Sequence, residues 1–255
     1  MVGAHNVWHT GHVATTAKTV RERARAELVG AIKASARRQL AASGATALSL
    51  RAIARELEMA SSAIYRYFPS RDELLTALII DAYDAVGEIS ELVDAQHAHD
   101  RPSERWLAVC RAIRAWAHAN PHEYALVYGS PIPGYRAPAD TVAHASRVAL
   151  VLARALLDGV ARRGRSTEVG HDDIDRAFHD AALRDLMADV SPEVVTRSLM
   201  AWTELFGLIS MELFGHLVGS VIDNDAFFDR AIELMGRFVG LPEDRSIRES
   251  ATGRR

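Results

Sequence analysis

Apolar residues recur along this chain every three or four positions and nowhere alternate with period two for long enough to form a strand, which predicts helices throughout. The first run, Ala24, Leu28, Ile32, Ala36 and Leu40, predicts a helix over 20–43, with Gly44 as its stop. Leu50, Ile53, Ala54 and Leu57 then make the buried stripe of a short helix that Ser49 is placed to cap. Ile64 and Phe68 anchor a second short helix and leave Ser61, Ser62, Tyr65, Arg66 and Tyr67 free. Pro69-Ser70 breaks that helix. Ser70 and Glu73 have Ser-x-x-Glu capping spacing for the next, which reaches about residue 97 through Leu74, Leu75, Leu78, Ile79, Ala82 and Val86.

Further along, Arg101-Pro102-Ser103 opens a helix carrying Trp106, Val109, Cys110, Ile113 and Trp116. Asn120-Pro121 ends it and begins a short aromatic helix with Tyr124, Leu126, Val127 and Tyr128. A Gly- and Pro-dense loop over 129–138 precedes an Ala/Val/Leu helix over 140–163. A moderately amphipathic helix is predicted over 172–189, a long one over 192–218 with Ser191-Pro192 at its start, and a last one over 226–239. The chain therefore reads as all-α. Its expected organisation is a disordered tail over 1–18, a helix-turn-helix domain over 19–72, a helical body over 73–240 and a second disordered tail over 241–255.

Composition narrows the function. Apolar residues make up 49% of the 255 positions, ample for a core, yet no apolar run reaches the roughly 18 residues of a membrane span. The polar, His-rich start lacks a secretory pattern, and a lone cysteine excludes a disulfide framework, so a cytoplasmic protein is expected. Cys110 falls in step with Trp106, Ile113 and Ala117 and reads as a small core residue. His5, His9 and His12 have ligand-like spacing, but Gly3, Gly11 and the missing apolar stripe argue against a metal site. No nucleophile elbow, phosphate loop, metal-spaced cluster or isolated carboxylate pair is visible, so neither a catalytic site nor a cofactor is expected.

Charge is uneven. Residues 1–72 hold 11 of the 30 Lys and Arg but only 5 of the 33 Asp and Glu, so a basic head precedes an acidic body. Hydroxyls, phenols and a guanidinium on the free face of residues 61–67 suit phosphate oxygens and base edges of a major groove. Lys18, Arg21, Arg23 and Arg25 form either an arm that reaches DNA or a solvated basic face.

The run Ile53-Ala54, Ile64-Tyr65-Arg66-Tyr67-Phe68, Ser70-Arg71-Asp72 and Leu74-Leu75, braced by the helix before it, resembles the tetracycline-repressor (TetR) family of transcriptional regulators. The resemblance implies a double-stranded DNA partner. Ser49 and Arg51 would contact phosphates; Ser61, Ser62 and Ala63 would face bases, with the Ala63 methyl suited to a thymine methyl. Tyr65 and Tyr67 would bond phosphates, Arg66 a base or phosphate, and Arg71 would clamp the backbone, a long cation there having little internal reason. Burial of Tyr67 without DNA contact is the competing reading. Glu58 stands where the family often has glycine, costing about 1 kcal/mol if φ must be positive. Ala60 occupies the cap position of the recognition helix, and Ser62 replaces a common glycine.

A homodimer on a palindromic operator follows from the resemblance. Its interface would lie on the helix over 192–218, through Leu199, Trp202, Phe206, Ser210, Leu213 and Phe214, paired with the helix over 226–239. An apolar small-molecule effector would bind among Trp106, Trp116, Tyr124, Tyr128 and Tyr135, with His118, His144 and His179 as polar handles. The expected function is a ligand-responsive repressor released from its operator by that molecule. The alternative is an α-helical carrier or enzyme that retains an inactive helix-turn-helix.

Overall fold

The structure, a computed structural model, describes residues 11–161, 185, 190 and 192–242. The helix expected over 172–189, with His179, falls mostly outside these residues, as do Ser191 and nearly all of the C-terminal tail. Among the described residues the chain is all-α, with eight α-helices, two 3-10 turns and no strand. The helices are α1 (Gly11–Ser43), α2 (Leu50–Glu56), α3 (Arg71–Gln96), α4 (Pro102–Ala119), α5 (Pro121–Tyr128), α6 (Thr141–Ala161), α7 (Pro192–Leu213) and α8 (Asn224–Phe238). The 3-10 turns are Ala45–Ala47 and Ile64–Arg66. Two compact units divide the chain at Leu78 and Ile79, six residues later than expected, and α3 starts in the first and ends in the second.

In the first unit the stripe predicted on α1 is buried at Ile32, Ala36 and Leu40. Gly44 ends α1 with φ 74° and its N–H on the Leu40 carbonyl at 2.9 Å, a left-handed position that favours glycine. Leu48, then Leu50, Ile53 and Ala54 of α2, with Ile64, Phe68, Leu74, Leu75 and Leu78, complete the buried apolar set. One boundary differs from expectation: α1 begins at Gly11, within the stretch read as a tail.

In the second unit α4 is central and packs against α5, α6, α7 and α8. Its buried face is Trp106, Val109, Cys110, Ile113 and Ala117, the spacing read from the sequence. The Trp106 indole donates to the Ile232 carbonyl at 3.1 Å, so its one polar atom is satisfied in the core. Leu241 closes the bottom of this core in a socket made by two glycines. A Cβ on Gly159 would stand 2.3 Å from Leu241, and one on Gly236 would stand 3.2 Å from Trp106. Cys110 is fully buried, and burial pushes its thiol well up, which suits a packing role.

Arginines clip the helices together at their margins. Arg105 of α4 holds Asp94 of α3, Arg111 holds Asp229 of α8, and Arg114 holds Glu212 of α7. Arg147 of α6 bridges Asp84 and Glu91 of α3, each at 2.7 Å, and lies so close to α3 that a Cβ on Gly87 would meet it at 2.9 Å.

Candidate nucleic-acid interface and helical body

Both ends of α2 are fixed to α1. At its start, Ser49 accepts from the Ala52 N–H at 3.3 Å, the predicted cap, while its own N–H donates to Gln39 Oε1 at 3.1 Å. At its end, Ser35 Oγ donates to Glu56 Oε2 at 2.6 Å and Arg38 Nε donates to Oε1 at 3.0 Å. The Ser35 hydrogen bond, then that of Arg38, holds the Glu56 carboxyl below its usual range against a smaller opposing desolvation. Arg51 stays exposed on the outer side of α2, whereas Ser49 is half-buried with its hydroxyl engaged in capping.

The turn after α2 is a Schellman closure. The Met59 N–H reaches the Ala54 carbonyl at 2.8 Å, which requires the intervening Glu58 to take φ 54°. Glu58 is the sole non-glycine with positive φ among the described residues.

The recognition segment departs from expectation. Residues 61–63 are turns, and only Ile64–Arg66 forms a 3-10 turn where a second α-helix was expected. The sequence supplies two physical reasons. No side chain caps this turn, which begins at Ala63, and Pro69 lacks the N–H that would bond the Tyr65 carbonyl in an α-helix. Ile64 and Phe68 are buried anchors, as expected. Between and before them, Ser61, Ser62, Tyr65 and Arg66 are exposed, and Ala63 is half-buried. Tyr67 is also half-buried, with the Arg25 guanidinium 5.2 Å over its ring.

Ser70 caps α3 by accepting from the Glu73 N–H at 3.1 Å. Arg71 then corrects the expectation that it has little internal work. Its Nη2 donates to the Ala45 carbonyl at 2.8 Å, joining the start of α3 to the turn after α1. Its Nε is buried without a hydrogen-bond partner.

The aromatic residues proposed for an effector separate into two sets. Trp106 and Tyr124 are buried in the core, Tyr124 with its hydroxyl 2.9 Å from the Phe206 carbonyl and 2.8 Å from Ser210 Oγ. Tyr128 is half-buried, stacks on Phe206 at 4.1 Å and meets the ring of Tyr83 edge-on at 6.0 Å. Tyr83 was not picked out from sequence, although it continues the apolar stripe of α3 between Ile79 and Val86. Burial raises all three phenols, Tyr83, Tyr124 and Tyr128, so they stay neutral and able to donate. Trp116 packs partly buried on the core, and Tyr135 lies half-buried in the loop before α6. His144 Nδ1 lies within hydrogen-bond distance of Asp84 Oδ1 at 2.7 Å, and His118 stands 3.2 Å from Glu212.

The residues proposed for a dimer also divide. Phe206 is buried, Ser210 bonds Tyr124, and Trp202 and Leu213 pack on their own core. Phe206 therefore faces inward, contrary to the expectation, whereas Trp202, Ser210 and Leu213 keep part of their surface exposed. Leu199 and Phe214 face outward, joined by Met200 and Met211 on α7 and by Phe227, Leu234 and Phe238 on α8. The missed signal is the stripe Met200, Thr203, Gly207, Met211 and Phe214, which repeats every three or four residues opposite the buried stripe.

Residues 32–78 match the family described as bacterial regulatory proteins, tetR family, and residues 106–235 match the tetracyclin repressor-like C-terminal domain. The HTH-type transcriptional regulator Rv1816 of Mycobacterium tuberculosis (strain ATCC 25618 / H37Rv) is 38% identical over 228 residues, covering 84% of this chain and 93% of the relative. The crystal structure of the regulatory protein SCO4313 aligns with a TM-score of 0.67 and 32% identity, over 84% of this chain and 97% of that one. A tetR-family regulatory protein from Rhodococcus RHA1 shares the fold at a TM-score of 0.56 and 20% identity, over 84% of this chain and 98% of its own.

Proposed function

Because the chain belongs to the TetR family of bacterial transcriptional regulators, which are DNA-binding proteins and not enzymes, we propose that it is a homodimeric repressor released from a palindromic operator by a small apolar molecule. The observation that carries this reading is the continuity of α3. The helix begins at Arg71, beside the recognition segment, and presents Tyr83 and Asp84 within the body after twelve residues. A ligand seated among Tyr83, Tyr128 and Phe206 would press on the same rod whose first turn carries Arg71. It would act only if it bound the two positions of that rod with different affinity.

Dimerisation rests on the outward apolar face of α7 and α8. Leu199, Met200, Met211, Phe214, Phe227, Leu234 and Phe238 form a surface that a second copy would bury. Two recognition segments would then meet half-sites about 34–36 Å apart on one side of the duplex. No helix among the described residues is long and apolar enough to cross a membrane.

Selection from a random duplex pool with the purified protein tests the reading, followed by competition with a panel of small aromatic and aliphatic compounds. Enrichment of a palindrome, and its loss with at least one compound, is the expected result. Enrichment of no sequence would overturn it, and a palindrome that no compound releases would remove the effector from it.

A further inference from the structure

Residues 19–28 of α1 stand clear of the buried core of their unit. Every residue from Thr19 to Leu28 is exposed, while burial starts with Val29 and is complete at Ile32. An isolated segment of this length would be marginal in water. Here the packed turns from Val29 onward supply the nucleus, and Ala, Arg and Glu propagate the helix well. The extension back to Gly11 therefore spans about 27 Å.

Its face is the informative part. Stepping back from Leu40 by four and three, the buried side of α1 passes through Ala36, Ile32 and Val29, then reaches Arg25 and Arg21. The side that holds apolar residues where α1 packs on its own domain becomes cationic where it leaves that domain. A helix built only to brace the domain has no need of these turns. The Arg25 guanidinium over the Tyr67 ring also shows where they lie, next to the recognition segment and on the side that displays Tyr67.

We propose that this extension is a second DNA contact, in which Arg21 and Arg25 track phosphates flanking the half-site read by residues 61–67. The proposal rests on the DNA-binding reading above. The occupant is duplex backbone because Arg21 and Arg25 place a basic face beside Tyr67 that continues the recognition surface, while the exposed apolar residues of these turns, Val20, Ala24 and Leu28, run along a neighbouring side.

The purified full-length protein, on the palindrome it selects, provides the test. One duplex ends at the palindrome and a second extends a helical turn beyond each end. The wild type should bind the longer duplex more tightly. Arg21→Ala/Arg25→Ala should cancel that preference, lower affinity about tenfold and reduce the slope of log affinity on log salt by about 0.9 per arginine. Arg21→Glu, which leaves Arg25 on Tyr67, should act in the same direction with unchanged helix content. Equal affinities and slopes for wild type and variants on both duplexes would overturn the proposal while leaving the DNA-binding reading intact. Loss of dimer by these variants in sedimentation would also overturn it, assigning the face to a second copy. If the wild type selects no duplex, the broader reading falls first, and this one with it.

Discussion

Arg71 donates to the carbonyl of Ala45 at 2.8 Å, so the first residue of α3 ties down the turn that links α1 to α2. A guanidinium at this position looks from sequence like a phosphate clamp, and the structure gives it an internal bond as well. Arg71→Ala should therefore destabilise the first unit by about 1–2 kcal/mol as well as weakening DNA binding. Arg71→Met keeps the stem packed and removes the buried, unpartnered Nε, so it should cost less stability than alanine. Thermal unfolding alongside salt-dependent binding separates the roles. Unchanged melting with a reduced salt slope would leave Arg71 a DNA contact alone.

Glu58 takes φ 54° in the closure that turns α2 toward the recognition segment. A side chain in the left-handed region costs about 1–2 kcal/mol relative to an ordinary conformation, and glycine avoids most of that strain but loses more entropy on folding. Glu58→Gly should stabilise the first unit by about 1 kcal/mol and leave the fold unchanged. Glu58→Val should destabilise it. Hydrogen exchange of the amides in α2 reads both, because it reports this unit apart from the body.

The Glu56 carboxyl, held below its usual range by Ser35 and Arg38, gives the first unit a pH dependence of known sign. A lowered folded-state pKa contributes stability above the unfolded value, and that contribution disappears as pH falls through the folded value. Acidification below about 4.5 should therefore loosen the junction of α1 with α2. Glu56→Gln should lower stability at neutral pH and flatten this part of the acid response. A wild-type acid profile in the glutamine variant would remove Glu56 from it.

What the sequence disclosed and what it hid have physical causes. The apolar stripes placed α1 through α6, α7 and α8 because period and burial coincide wherever one face of a helix is apolar. The caps at Ser49 and Ser70 were legible because they depend on local spacing alone. Direction was not legible on α7, which is apolar on both sides, so Phe206 and Met211 are indistinguishable until packing places one inside and the other outside. The recognition segment reads as a helix from Ile64 and Phe68, since four-residue spacing also suits one turn of 3-10 helix flanked by bends. Arg71 shows a third limit, because its acceptor is a backbone carbonyl 26 positions away, which no residue type announces.

Opposite faces of α7 should respond differently to substitution. Met211→Glu, on the outward side, should shift the protein from dimer to monomer in sedimentation while leaving the monomer folded, because a charge buried between two copies has no partner. Phe206→Ala should instead cost about 3–5 kcal/mol of stability, since it empties the position between Tyr128 and Trp202. A Met211→Glu dimer of wild-type strength would move the interface elsewhere.

The three phenols should separate by function as well. The Tyr124 hydroxyl is engaged by the Phe206 carbonyl and Ser210, so Tyr124→Phe strands the Ser210 hydroxyl and should cost about 1 kcal/mol of stability. Tyr83 holds the Val127 carbonyl at 3.4 Å, a long bond whose loss in Tyr83→Phe should change stability little. Tyr128→Phe retains the stack on Phe206 and removes only a neutral donor. If Tyr83 and Tyr128 face the effector, the double phenylalanine variant should melt near the wild type and bind its operator equally. It should then need about tenfold more of any releasing compound that carries a hydrogen-bond acceptor. Release at wild-type concentrations would exclude these two hydroxyls from the effector site, because their removal leaves the surrounding rings in place and alters little else.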